Sequence, residues 1–138
     1  MKRQERFPDT PTFHWYNANP HNKLSDDCVV RAICTALSQS WEQTVRELTE
    51  IGIKYGYMCD DVKCYEKYLA QKGWIKHKQP KKADGTKYTG KEFCMNCSTN
   101  KNYIAHIGGH HIVAIIEGQV WDIWNSTGGC IGNYWTKF

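Results

Sequence analysis

Two apolar runs joined by a glutamate and a glycine do most to limit what this chain can fold into. Gly108-Gly109-His110-His111-Ile-Val-Ala-Ile-Ile leads into Glu117-Gly118, and Gln-Val-Trp-Asp122-Ile-Trp-Asn125 follows. Runs rich in β-branched and aromatic residues on either side of a two-residue glycine turn predict a β-hairpin, because glycine takes the positive φ that such a turn needs. With Glu117-Gly118 as the turn, Ile116 faces Gln119, and counting outward sets His111 opposite Trp124. Side chains alternate along each strand, so one face is expected to carry His111, Val113, Ile115, Val120, Asp122 and Trp124. His111 and Asp122 are then diagonal neighbours, roughly 7–8 Å apart at the backbone and within reach of each other's side chains. A histidine and an aspartate in an apolar sheet are costly to bury unless they pair. His110 points the opposite way, so only one of the two histidines can meet Asp122. The turn length favours His111 over His110.

A histidine oriented by an aspartate is half of a nucleophilic site, and the thiol that completes it is sought upstream. Ser25-Asp26-Asp27-Cys28 reads as a helix start, with Ser25 or an aspartate as N-cap and acids in the first turn. Val29, Val30, Ile33, Ala36 and Leu37 follow at helical spacing and make one buried stripe. Cys28 therefore falls in the first turn, where free N–H groups and the macrodipole favour a thiolate. Two readings of Cys28 stand side by side, a small buried core thiol and a reactive nucleophile. Cys34, deeper in the helix, reads as core. A thiol needs a base to take its proton and an acceptor to orient that base. Cys28, His111 and Asp122 supply those three roles, and the Cys28 backbone N–H is a natural oxyanion donor.

The remaining chain reads as scaffold. Residues 1 to about 24 contain Pro8, Pro11 and Pro20 and are expected to form an irregular arm. Ser40-Trp-Glu-Gln43 is a capping box that opens a helix through about Tyr55, with Gly52 and Gly56 weakening its end. A further helix spans about Asp60 to Lys72, and Trp74-Ile75 follows as a short strand or packing anchor. Residues 76–91 are the most basic stretch and read as a solvated loop with one stacking aromatic, Tyr88. Thr89 and Glu92 form a second capping box, opening a short helix to about Cys97. Asn102 to Ile107 reads as a strand, and the tail after Asn125 as turn-rich with an aromatic pair that packs back.

At 138 residues the chain is expected to be one domain, residues 1–138. No run approaches the roughly 20 apolar residues of a membrane span, and no apolar segment follows the charged start. A cytoplasmic protein with no membrane partner is expected. Its seven cysteines are an odd number, which suits free thiols better than a disulfide framework. A net charge of +4 does not demand a nucleic-acid partner.

These stretches resemble the papain-like cysteine peptidase superfamily. Asp-Asp-Cys28-Val-Val-Arg-Ala-Ile followed by Gly-Gly-His-His111 and the acidic hairpin is similar, more narrowly, to small cysteine-peptidase-like proteins of phages and prophages of Gram-positive bacteria. The resemblance covers roughly residues 16 to 135. It implies an α+β fold in which an N-terminal helical part carrying the cysteine packs on a small antiparallel sheet carrying the histidine. It implies Cys28 as nucleophile and His111 as general base, acting on a peptide or isopeptide bond of a peptide or protein substrate, with no cofactor and no metal. Asp122 matches the acidic residue that the transglutaminase-like branch places on the strand after its histidine. Asn125, in an Asn-Ser pair, is a rival third member. The position of papain's oxyanion glutamine corresponds to Asn22, with Asn19 as a competing candidate.

Two other classes compete. One is a catalytically inert papain-fold binding module. The other is a zinc-dependent nucleic-acid binder, in which Cys94-Met-Asn-Cys97 joins Cys59 and Cys64 as four thiolates and the basic stretch meets phosphates.

Overall fold

The computed structural model describes residues 2–137. Among them run, in chain order, α1 (Arg3–Arg6), β1 (Phe13–Trp15), α2 (Cys28–Leu37), α3 (Trp41–Tyr55), α4 (Val62–Gln71), β2 (Trp74–His77), α5 (Gly90–Asn96), β3 (Tyr103–Ile107), β4 (His111–Ile116), β5 (Gln119–Asp122) and β6 (Ile131–Lys137). The fold is α+β, built on a six-stranded sheet in the order β1-β5-β4-β3-β6-β2.

The sheet corrects the expectation of a purely antiparallel one, because β1 runs parallel to β5 and the other pairs are antiparallel. The arm of residues 1–24 is therefore not irregular throughout: it contributes α1 and this edge strand. The tail is corrected too. Residues 131–137 form β6, which lies between β3 and β2 instead of merely packing back. The basic stretch opens as β2, carries an isolated bridge between Lys81 and Lys87, and has two lysines neutralised, Lys76 by Glu66 and Lys82 by Glu92.

Local chemistry explains the helices. Ser40 accepts from the Gln43 N–H and Asp61 from the Lys63 N–H, each satisfying a donor left open by a helix start. Thr89 and Glu92 exchange both bonds of a capping box at the head of α5.

Strand alternation sorts the core into two clusters, one on each sheet face. Ile104, Ile112, Ala114 and Trp135 pack under α2, α3 and α4 with Ile33, Leu48, Tyr65 and Leu69. Tyr103, Ala105, Val113, Ile115 and Val120 face the other way, against Phe13 and Phe93. The hairpin has the expected register, Ile116 with Gln119, Ile115 with Val120 and Ala114 with Trp121. Glu117 and Gly118 both have positive φ, 52° and 73°, as the primed turn requires.

Candidate functional site

The site forms where the β4–β5 ladder ends. The last residues paired between these strands are Ala114 and Trp121, one step short of Val113 opposite Asp122. Beyond that point β4 stays paired with β3 as far as His111 and β5 with β1 as far as Asp122, and Asp122 is reached both from β4 and from α2. His111 Nε2 lies 2.5 Å from Asp122 Oδ2. Arg31 Nη1 donates to Asp122 Oδ1 at 2.5 Å, and the Ile123 backbone N–H donates to the same oxygen at 2.7 Å. Asp122 is almost fully buried, at 1% exposure, so each of these bonds replaces water that the carboxylate has lost. The ring of Trp124 packs against that of His111, with centroids 4.9 Å apart. His110 lies outside β4 and is exposed; the residue that meets Asp122 is His111.

Cys28 is the first residue of α2 and is partly exposed. It lines a cavity of about 380 Å³ together with His111, Trp124, Arg3, Asp26 and Asp60. Among the described residues no hydrogen bond joins the Cys28 sulfur to His111; the thiol and the imidazole share this cavity, and the Cys28 side chain adds to the pull on the imidazole proton. Burial alone pulls the His111 pKa down. The hydrogen bond to Asp122, then the Cys28 side chain, then the charge of Asp122 outweigh burial and push it up to about 9. With Nε2 engaged by Asp122, Nδ1 is the ring nitrogen left for the thiol.

The start of α2 differs from the expected cap. Asp27 occupies the N-cap position, its side chain makes no cap hydrogen bond, and no acidic residue lies in the first turn. Its carboxylate turns aside instead. Oδ1 accepts from Arg31 Nε at 2.8 Å, and Oδ2 accepts from Trp41 Nε1 at 2.9 Å and Asn19 Nδ2 at 3.1 Å. Burial raises the Asp27 pKa, but the bonds from Arg31, Trp41 and Asn19 overcome it and leave the group below its usual range. The consequence for chemistry is that the side chain leaves the first-turn N–H groups beside Cys28 uncapped, and a developing oxyanion is what such donors stabilise.

Three candidates from the sequence fall elsewhere. Asn125 accepts from the Thr127 N–H and hydroxyl, closing a local turn, and does not meet His111. Asn22 is exposed with φ at 57° and does not line the Cys28 cavity. Asn19 does not line it either, because its amide is committed to Asp27 and its Oδ1 to the His21 N–H. The cysteine quartet is divided: Cys59 and Cys64 pack on the α2 side of the sheet, Cys94 and Cys97 on the other. Among the described residues no group of three or more His, Cys, Asp or Glu is arranged to hold a metal ion. Cys34 is buried as expected, and burial pushes its thiol up to about 11.

Arg31 is the site residue that the sequence reading passed over. Its signal was visible: a charge inside the buried stripe of α2, four residues after Asp27, must have a partner. One guanidinium bridges Asp27 at the helix start to Asp122 at the strand end, tying the element that holds Cys28 to the one that orients His111.

No protein-family model, no curated protein and no solved structure matches this chain.

Proposed function

We propose that this chain is a papain-like cysteine peptidase or a related thiol acyl-transfer enzyme, acting on a peptide or isopeptide bond. The observation that carries the reading is the imidazole of His111, bonded through Nε2 to a buried carboxylate and sharing one cavity with a thiol at a helix N-terminus. The order of the elements supports papain-like architecture: a helix begins with the cysteine, and a sheet follows with the histidine and its carboxylate on adjacent strands.

In this mechanism the proton of Cys28 passes to His111, which its neighbours make basic. The sulfur attacks the substrate carbonyl carbon, and the S–C bond forms as the carbonyl electrons move onto oxygen. The first-turn N–H groups of α2 stabilise that oxyanion. His111 then gives its proton to the leaving nitrogen as the C–N bond breaks, leaving a thioester on Cys28. Water, or an amine in a transfer reaction, attacks the thioester and returns a proton to His111, which passes it to the departing sulfur. Asp122 keeps the ring in the useful orientation and stabilises the imidazolium.

An inert binding module of the same architecture is the second reading, and Arg31 favours it. Asp122 would be needed to neutralise this buried guanidinium even in a protein that catalyses nothing. Incubation with p-nitrophenyl acetate and intact-mass analysis separates the two. An acyl-transfer enzyme accumulates a single acetyl group mapping to Cys28, lost in Cys28→Ser and suppressed in His111→Ala. Acetylation of Cys28 no faster than that of the exposed Cys130 overturns the enzyme reading.

A further inference from the structure

Among the described residues, the wall of the Cys28 cavity contains a guanidinium that makes no ion pair. Two arginines line this cavity. Arg31 is spent on Asp27 and Asp122. Arg3 is held differently. Its Nε donates to the Ile123 carbonyl at 2.7 Å, and its guanidinium carbon lies 5.6 Å from the centre of the Phe7 ring. Among the described residues no carboxylate pairs with it and its Nη atoms make no hydrogen bond. A guanidinium anchored through Nε keeps its two-nitrogen edge free, and that edge matches a carboxylate bidentately at little further entropic cost.

Position within the cavity says which part of a ligand this cation meets. Arg3 is bonded to Ile123, the next residue is Trp124, and Trp124 packs on His111. Asp26 and Asp60 line the same cavity, and Asp26 lies two residues before Cys28. Asp26 belongs to the α2 start and Asp60 to the segment ahead of α4, whereas the unpaired guanidinium is fixed at the β5 end. An anion is repelled from the two carboxylates and attracted to the guanidinium, so charge selects an orientation as well as a ligand.

We propose that Arg3 determines specificity, selecting an acidic peptide whose carboxylate lies beside the scissile bond on the β5 side of the cavity; the inference rests on Cys28 being the reacting thiol. Arg3 binds and orients this carboxylate and takes no part in the bond changes.

The test uses two alkylating probes on the full chain, N-iodoacetylglycine and its neutral isostere N-iodoacetylglycinamide. In each the Cys28 sulfur displaces iodide and forms an S–CH2 bond. The rate at Cys28, divided by that at the exposed Cys130, gives an anion-to-neutral ratio for each protein. Arg3→Gln removes the charge, keeps a donor for the Ile123 carbonyl and is expected to lower that ratio about fivefold, the factor that about 1 kcal/mol makes. Arg6→Gln makes the same change in net charge on the same helix, away from the cavity, and is expected to leave the ratio alone. Arg3→Lys keeps most of it, and added salt lowers it in the unmodified protein. A ratio in Arg3→Gln within twofold of the unmodified protein, or a preference for the neutral probe throughout, overturns the proposal. Should Arg3→Gln fail to fold, a ratio in the unmodified protein that ignores salt does the same. If Cys28 fails to outpace Cys130 with the neutral probe, the acyl-transfer reading falls whatever Arg3 does. If Cys28 outpaces Cys130 and the ratio ignores Arg3, only the role of Arg3 falls.

Discussion

Asp122 accepts from a guanidinium on one oxygen and meets an imidazole on the other, and the chemistry of the site turns on this double duty. Removing its charge separates the two functions. Asp122→Asn takes from His111 the largest influence that opposes burial, so the His111 pKa should fall from about 9 to 6.5 or below. Histidine titration by NMR reads this directly, and a value that stays near 9 would mean that Cys28 alone sustains it. The same substitution leaves Arg31 with Asp27 as its only buried anion, at a cost of about 3 kcal/mol in denaturant unfolding. The high His111 pKa also has a sign for activity. In the proposed mechanism His111 must be protonated to expel the leaving nitrogen, so kcat/KM for an amide substrate is predicted to decline as pH rises through about 9.

Elements with their own local signals were legible in the sequence; those held by distant partners were not. The β4–β5 hairpin, α3, α4 and α5 each carry a turn or cap that works without the rest of the fold. By contrast β1 is three residues long between Pro11 and Asn17 and exists because it adds to the edge of β5. Gly132 and Asn133 break any strand pattern in β6, which owes its place to pairing with β3 and β2 on either side. Register errors are costly in such a sheet, and Gly118 is where its register is set. Its φ of 73° and a Cβ position 3.3 Å from the Cys94 carbonyl predict that Gly118→Ala loses about 1–2 kcal/mol. Gly52 reverses its sequence-based reading as a weak helix end. The chain after α3 folds back so closely that a Cβ there would lie 2.2 Å from the Tyr57 carbonyl oxygen. Gly52→Ala should therefore destabilise by about 1–3 kcal/mol, against its gain in helix propensity. A higher melting temperature in Gly52→Ala would contradict that packing.

Across the whole molecule the candidate site was more legible than the fold. Its histidine and aspartate belong to one hairpin, and its cysteine announces itself at a helix start. Arg31 was legible only as a buried charge in need of a partner, and Arg3 not at all, because the partners Asp122 and Ile123 come from a distant segment. The α+β class followed from the elements, whereas the mixed sheet required the partner of β1. Ionisation of the buried groups gives the molecule a common pH response. His111 is raised in the folded state, so its stabilisation is complete below about 6.5 and is lost as pH rises through about 9. Cys34, at about 11, and Cys94, at about 12, are raised by burial and act in the same direction, losing stabilisation as pH climbs past the unfolded thiol value. Asp27 is lowered, so its contribution is present above the unfolded carboxylate value and is lost in acid. Thermal unfolding should thus show a plateau of melting temperature from about pH 5 to about pH 6.5, declining in acid as Asp27 is protonated and above about pH 6.5 as His111 loses its advantage.

If Cys28 and His111 act as one unit, as the proposed chemistry requires, alkylation by iodoacetamide near neutrality reveals it. At about pH 6 an unassisted thiol is almost wholly protonated and reacts slowly. Cys28 should be modified at least about tenfold faster than Cys130 in the same molecule, and His111→Ala should abolish that advantage. Equal rates at Cys28 and Cys130, unchanged by His111→Ala, would mean that the thiol and the imidazole do not act together.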